Sequence, residues 1–87
     1  MTYGKIPGTQ SLADYIYRIT TTGQFEKDFG LKDQIRRAVV SIPSNIAEGD
    51  ELETINQSIK HFYIAKGSSA EVLTQSIIAS EIGYIDN

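Results

Sequence analysis

Leu12, Tyr15, Ile16 and Ile19 stand at i, i+3, i+4 and i+7, the spacing that gathers apolar residues on one face of an α-helix. Ser11, with Asp14 three residues on, resembles a capping box before them. Thr20, Thr21 and Thr22 are β-branched, Gly23 is a helix terminator, and together they close the pattern. A first helix over about 11–22 follows. Ile35, Val39, Ile42 and Ile46 repeat at four, three and four, which predicts a second helix over about 31–48. Pro43 lies inside it. A proline has no N–H to offer the Val39 carbonyl, and its ring crowds that oxygen. The helix is therefore expected to kink there, or to stop and restart with Ser44 as a new N-cap. Ser41, Ser44 and Asn45 are short polar side chains of the right size to bond the freed backbone groups, or to form an exposed recognition corner. Gly49 is expected to end this helix in the left-handed conformation.

A third helix is predicted over about 53–81. Ile55, Ile59, Phe62, Leu73 and Ile77 line one side, and Ile64, Ile78 and Ile82 lie roughly opposite. Apolar residues on two sides predict a helix buried between layers. Its middle carries Ala65, Gly67, Ser68, Ser69 and Ala70. A helical glycine costs about 1 kcal/mol relative to alanine, so close approach of another helix is the expected reason for Gly67. Gly83 ends the helix, and Tyr84 and Ile85 can fold back onto it. Residues 1–10, with Gly4, Pro7 and Gly8, read as an irregular arm. Gln24–Gly30 reads as a connection in which Phe25 and Phe29 plug the gap between helices. The whole is expected to be one all-α domain over residues 1–87, an antiparallel up-down helical bundle.

Composition narrows the chemistry. Eighty-seven residues lie near the lower size at which a core stabilises itself unaided. There is no cysteine, which removes disulfides and thiolate metal sites and fits a reducing cytosol. No apolar run reaches the length of a membrane span and no signal-peptide core follows Met1, so a cytoplasmic protein is expected. Asp50, Glu51 and Glu53 suit the positive end of the third helix's dipole and are too few for a metal site. His61 is the only histidine, with no carboxylate at i±3 or i±4, and reads as partly exposed rather than as a base or ligand. No phosphate loop, HExxH or GxSxG occurs. No enzyme activity and no cofactor are expected.

The stretch QIRRAVVSIPSNIAEG (Gln34–Gly49) resembles the signature of a small bacterial family of four-helix bundle proteins. That family includes proteins encoded in intervening sequences of 23S rRNA genes and the accessory variability determinant (Avd) of diversity-generating retroelements. FYIAKGSSAEVLTQSIIASEIGYI (Phe62–Ile85) is similar to the family's third helix, and Ser11–Leu31, ending in DFGL, matches more loosely. The resemblance implies a four-helix bundle that assembles into a ring-shaped pentamer. It also implies basic surfaces presented to nucleic acid and to a reverse transcriptase. The family's bundle continues into a fourth helix for which this chain has no residues after Asn87. Three of the four helices are therefore expected here. The Ile64, Ile78 and Ile82 face is then an uncovered patch that takes further copies of the chain.

Two functions follow as expectations. One is an RNA- or ribonucleoprotein-binding accessory, with Lys32, Arg36 and Arg37 as phosphate contacts, joined by Lys60 and Lys66. Lys32 and Arg36 share a sign four residues apart, so one of them should meet an anion. That anion is either a phosphate or a carboxylate on another helix, for instance Glu71 against Arg36 or Arg37. The other function is an oligomeric scaffold that binds protein and touches no nucleic acid. The net charge of −3 favours the scaffold, since nucleic-acid-binding domains are usually basic.

Overall fold

The computed structural model describes residues 9–85. They form four helices: α1 (Thr9–Ile19), α2 (Gly23–Lys27), α3 (Phe29–Glu51) and α4 (Ile55–Glu81). No strand occurs among the described residues. Most of the expected N-terminal arm lies outside them, while Thr9 and Gln10 already belong to α1, so Ser11 is inside the helix and not at its cap.

The three threonines end α1 by chemistry as well as by shape. Thr20 Oγ1 donates to Ile16 O at 2.7 Å, Thr21 Oγ1 to Arg18 O at 2.8 Å and Thr22 Oγ1 to Ile19 O at 3.1 Å. The last carbonyls of a helix lack partners within it, and these hydroxyls supply them. Gly23 then takes φ +57°, the left-handed turn that a side chain resists. Where a plain connection was expected, the short α2 carries Phe25 fully buried into the core. Phe29 is not the second plug. It is 70% exposed, with Lys32 Nζ held 4.7 Å over its ring.

Asp28 ties the start of α3 to the segment after α4. Its Oδ1 accepts from Leu31 N at 3.1 Å, capping α3, and its Oδ2 accepts from the Tyr84 hydroxyl at 3.0 Å. The Tyr84 ring packs 5.2 Å from that of Phe25, so the residues after Gly83 do fold back. The hydrogen bond to Asp28, aided by desolvation and the carboxylate's charge, raises the Tyr84 hydroxyl above the ordinary phenol range.

α3 runs unbroken through Pro43 and does not restart at Ser44. Ser44 Oγ donates to Val40 O, and Asn45 Nδ2 donates to Ser41 O and Ser41 Oγ, each at 2.9 Å. Side chains after the proline thus bond the carbonyls beside the one it leaves unpaired. Gly49 lies inside the helix, without positive φ. Its reason is contact: a Cβ there would stand 2.6 Å from the Phe62 ring. Asp50 and Glu51 close α3, where its dipole does not favour them. α4 is capped instead by Thr54, which accepts from Gln57 N at 3.2 Å. Ser58 Oγ reaches back to Gly49 O at 2.7 Å and ties α4 to the end of α3.

α3 and α4 are antiparallel. Descending α3 from Asn45 through Ser41 to Gln34, the partners ascend α4 from His61 through Ser68 to Gln75. The core gathers Ile16, Phe25, Ile35, Ala38, Val39, Ile42, Val72 and Ala79. The face of α4 that enters it is Ala65, Ser68, Val72, Gln75 and Ala79, spaced alternately three and four. That is the period of a helix seam, built from small and polar residues. The large apolar side chains expected in the interior are outside it: Ile55, Ile59, Phe62, Leu73 and Ile77 on one flank, Ile64, Ile78 and Ile82 on the other, are all exposed. α1 packs mainly on α3, so neither flank of α4 is covered by the described residues of one chain.

A Cβ added at Gly67 would meet nothing within 4 Å, so no neighbour among the described residues explains this glycine. Gly67→Ala should therefore raise stability by about 0.5–1 kcal/mol, the helix-propensity gain alone. Gly49→Ala gains the same propensity but strikes Phe62, and should fall short of that figure by about 1 kcal/mol or more. Urea unfolding of both variants, repeated in a Phe62→Ala background, checks this. The shortfall should vanish with the ring, and a shortfall that persists contradicts the packing reason for Gly49.

Candidate functional site

The five expected cations do not form one patch. Lys32, Arg36 and Arg37 lie in the first half of α3, beside the second half of α4. Lys60 and Lys66 are exposed in the first half of α4, about 120° apart around the helix, so they face different ways.

Arg36 and Arg37 are neighbours with different employment. Arg36 is half-buried against the end of α1. Its Nε donates to Thr20 Oγ1 at 2.8 Å, its guanidinium carbon stands 4.5 Å from the Tyr17 ring centre, and Nη2 makes a long contact of 3.5 Å with Tyr17 O. A cation at a helix C-terminus also meets the negative end of its dipole. The anion that one of Lys32 and Arg36 was expected to meet is thus replaced, for Arg36, by a ring, a hydroxyl and a helix end. Arg37 is exposed, and no ion pair to it occurs among the described residues. Glu71 lines the same cleft as Arg37 without closing onto it.

Arg37 stands on the ridge between two clefts. One, of about 470 Å³, lies between α1 and α3 and is lined by Tyr17, Asp33, Arg36, Arg37, Val40 and Ser41. The other, of about 280 Å³, lies between α3 and α4 and is lined by Gln34, Arg37, Ala38, Ser41, Ser68 and Glu71. Ser41 belongs to both. Its Oγ accepts from Asn45 Nδ2 and from Ser68 Oγ, each at 2.9 Å.

Ser41 is also one member of a polar ladder along the α3–α4 seam. His61 Nδ1 lies 2.9 Å from Asn45 Oδ1, with Glu48 Oε2 at 3.8 Å from the same nitrogen. Gln75 Nε2 donates to Gln34 Oε1 at 3.1 Å, and Gln75 Oε1 is buried without a partner. His61 is partly exposed, as its sequence setting suggests, but the groups that orient it come from α3, sixteen or fewer positions back, and not from its own helix. The spacing of His61, Ala65, Ser68, Val72, Gln75 and Ala79 is the signal that could have found this seam.

Ile64, Ile78 and Ile82 share one exposed strip of α4. A second apolar hollow of about 330 Å³ lies on the other flank between Ile59, Phe62, Tyr63 and Lys66. No helix of the described residues is long and apolar enough to cross a membrane, and no group of three potential metal ligands occurs among them.

A family model described as 23S rRNA-intervening sequence protein matches residues 8–87. No curated protein matches the chain, and no solved structure does.

The contrast between the two arginines is measurable. Arg36→Gln should cost about 1–3 kcal/mol of stability, because it removes a charged hydrogen bond to buried Thr20 and the stack on Tyr17. Arg37→Gln should stay within about 0.5 kcal/mol of the parent, as exposed substitutions do. Equal losses in chemical unfolding would contradict the division of labour.

Proposed function

The chain belongs to the 23S rRNA-intervening sequence protein family, and from that membership we propose that it is a non-catalytic, oligomeric cytoplasmic protein that binds RNA or a ribonucleoprotein as an accessory. The observation that carries the reading is Arg37, a guanidinium unpaired among the described residues, at the mouth of an open cleft beside a second arginine that the fold holds rigid. Guanidinium groups bind phosphate through paired hydrogen bonds, and a phosphate would supply the anion that Arg37 lacks there. Lys32 adds positive charge on the same half of α3, while Lys60 and Lys66 lie on the first half of α4 and face different ways. A net charge of −3 confines such binding to a local face and makes it strongly salt-dependent. His61, the one histidine, is engaged with Asn45 of α3.

Self-association is the second part of the proposal. Ile64, Ile78 and Ile82 are exposed on one side of α4, and exposed apolar side chains of that kind draw a partner. Further copies of the chain are the partner proposed, in the ring of five that the resemblance implies. The same surface favours the alternative reading, a protein-binding scaffold with no nucleic-acid contact.

Light scattering on a size-exclusion column at low salt, with absorbance at 260 and 280 nm, tests both parts. The chain has five tyrosines and no tryptophan, so small amounts of nucleic acid register clearly. A discrete oligomer is expected, with a raised 260/280 ratio that falls when salt is added. Ile78→Glu combined with Ile82→Glu should yield a folded monomer. A protein-like ratio together with no binding of added RNA would overturn the RNA reading and leave the scaffold. A parental monomer would overturn self-association.

A further inference from the structure

The cleft between α1 and α3 contains more than two cations, and its remaining groups define a ligand. Ser41 Oγ already accepts two hydrogen bonds, from Asn45 and from Ser68. With Asn45 and Ser68 on its oxygen, its proton can be given to an acceptor in the cleft. Arg37, one turn before it on α3, is a donor only. Side by side they suit a phosphate oxygen. Asp33 is the single carboxylate in the lining and is acceptor-only. Exposed in the lining, it can accept from a ligand that offers N–H groups. It lies about 6 Å from Arg37 and about 12 Å from Ser41 along the helix axis. A ligand that satisfies all three is thus anionic at one end and carries N–H groups at the other. The same lining holds the Arg36 guanidinium, set over the Tyr17 ring and hydrogen-bonded to Thr20, together with the apolar surface of Val40. A guanidinium plane fixed on an aromatic ring is a platform for a flat base.

We propose that this cleft binds one unpaired nucleotide of an RNA strand, with its phosphate on Arg37 and Ser41, its base on the Arg36–Tyr17 stack and its amino edge toward Asp33. The inference rests on the RNA-binding reading above and sharpens it. Base-paired RNA is excluded from the cleft, because pairing occupies the amino edge and stacking covers the base faces. Cytidine is preferred over uridine, since cytosine carries an exocyclic amine where uracil carries a carbonyl oxygen. Tyr17, Thr20 and Arg36 act as positioning residues for the platform.

The test is fluorescence anisotropy of the full chain at low salt with a short oligocytidine, an oligouridine of equal length and a duplex of the same length. Oligocytidine should bind more tightly than oligouridine, and both more tightly than the duplex. Arg37→Gln should weaken both single strands and lower the slope of log K against log salt by about 1. Asp33→Asn should abolish the cytidine preference. Both side chains are exposed, and unchanged circular dichroism of each variant separates a binding effect from unfolding. If RNA binds but neither variant alters its isotherms, or if the duplex binds as well as the single strands, the cleft is not the site and the RNA is held elsewhere on the chain. If no oligonucleotide binds at low salt, the RNA reading itself falls.

Discussion

The close antiparallel contact of α3 and α4 is the constraint on which the other features depend. Along it, Ser41 meets Ser68, Asn45 meets His61, and Gln34 meets Gln75. Ala65 between two of these levels, and Ala79 and Gly49 beyond them, leave room for the helices to come together. Such a seam yields less hydrophobic stabilisation than one of leucines, but it specifies register strictly. Sliding α4 by one position would part every one of these pairs, and each buried polar group left unsatisfied costs about 1–3 kcal/mol. The register also decides what faces outward. With small and polar residues spent on the inside, the isoleucines, Leu73 and Phe62 of α4 are left on its flanks.

The rest of the chain is fastened to this pair. Asp28 caps α3 and holds Tyr84, which lies past the end of α4, so the corner carrying Phe25 closes only when the pair is in register. α1 is held by Ile16 in the core and by Arg36 at its C-terminal end. Arg37, turned about 100° from Arg36, inherits no such task and remains available at the surface. Ser41 links the two levels, since its oxygen serves the seam and its proton can be given to the cleft. The candidate site is in this sense a by-product of the packing.

The three long helices were legible because their apolar spacing is regular and their ends carry threonine, aspartate or glycine. α2 was not, since five residues are too few to show a period. The inward face of α4 was misread for a physical reason. Hydropathy marks Ile, Leu and Phe as interior, yet this seam needs small side chains that bring two backbones close, and those carry little hydropathy of their own. Pro43 was read by a local rule that holds for the proline's own hydrogen bond. Of the two outcomes it allowed, a stop and restart at Ser44 does not occur, and the backbone bonding expected of Ser44 and Asn45 is present. At the candidate site, charge type was visible and partnership was not. Tyr17 and Thr20, the groups that hold Arg36, lie on another element, as do Asn45 and Glu48 around His61.

The polar seam can be tested without reference to function. The chain contains no cysteine, so Ser41→Cys with Ser68→Cys introduces one isolated pair. Their hydroxyl oxygens are 2.9 Å apart, so sulfurs at those positions would face each other, as a disulfide requires. Mild oxidation should close an intrachain disulfide, seen as a mobility shift on a non-reducing gel, with helical circular dichroism and the mass by light scattering unchanged. Thiols that stay free, or that link only different chains, would contradict a seam built on Ser41 and Ser68.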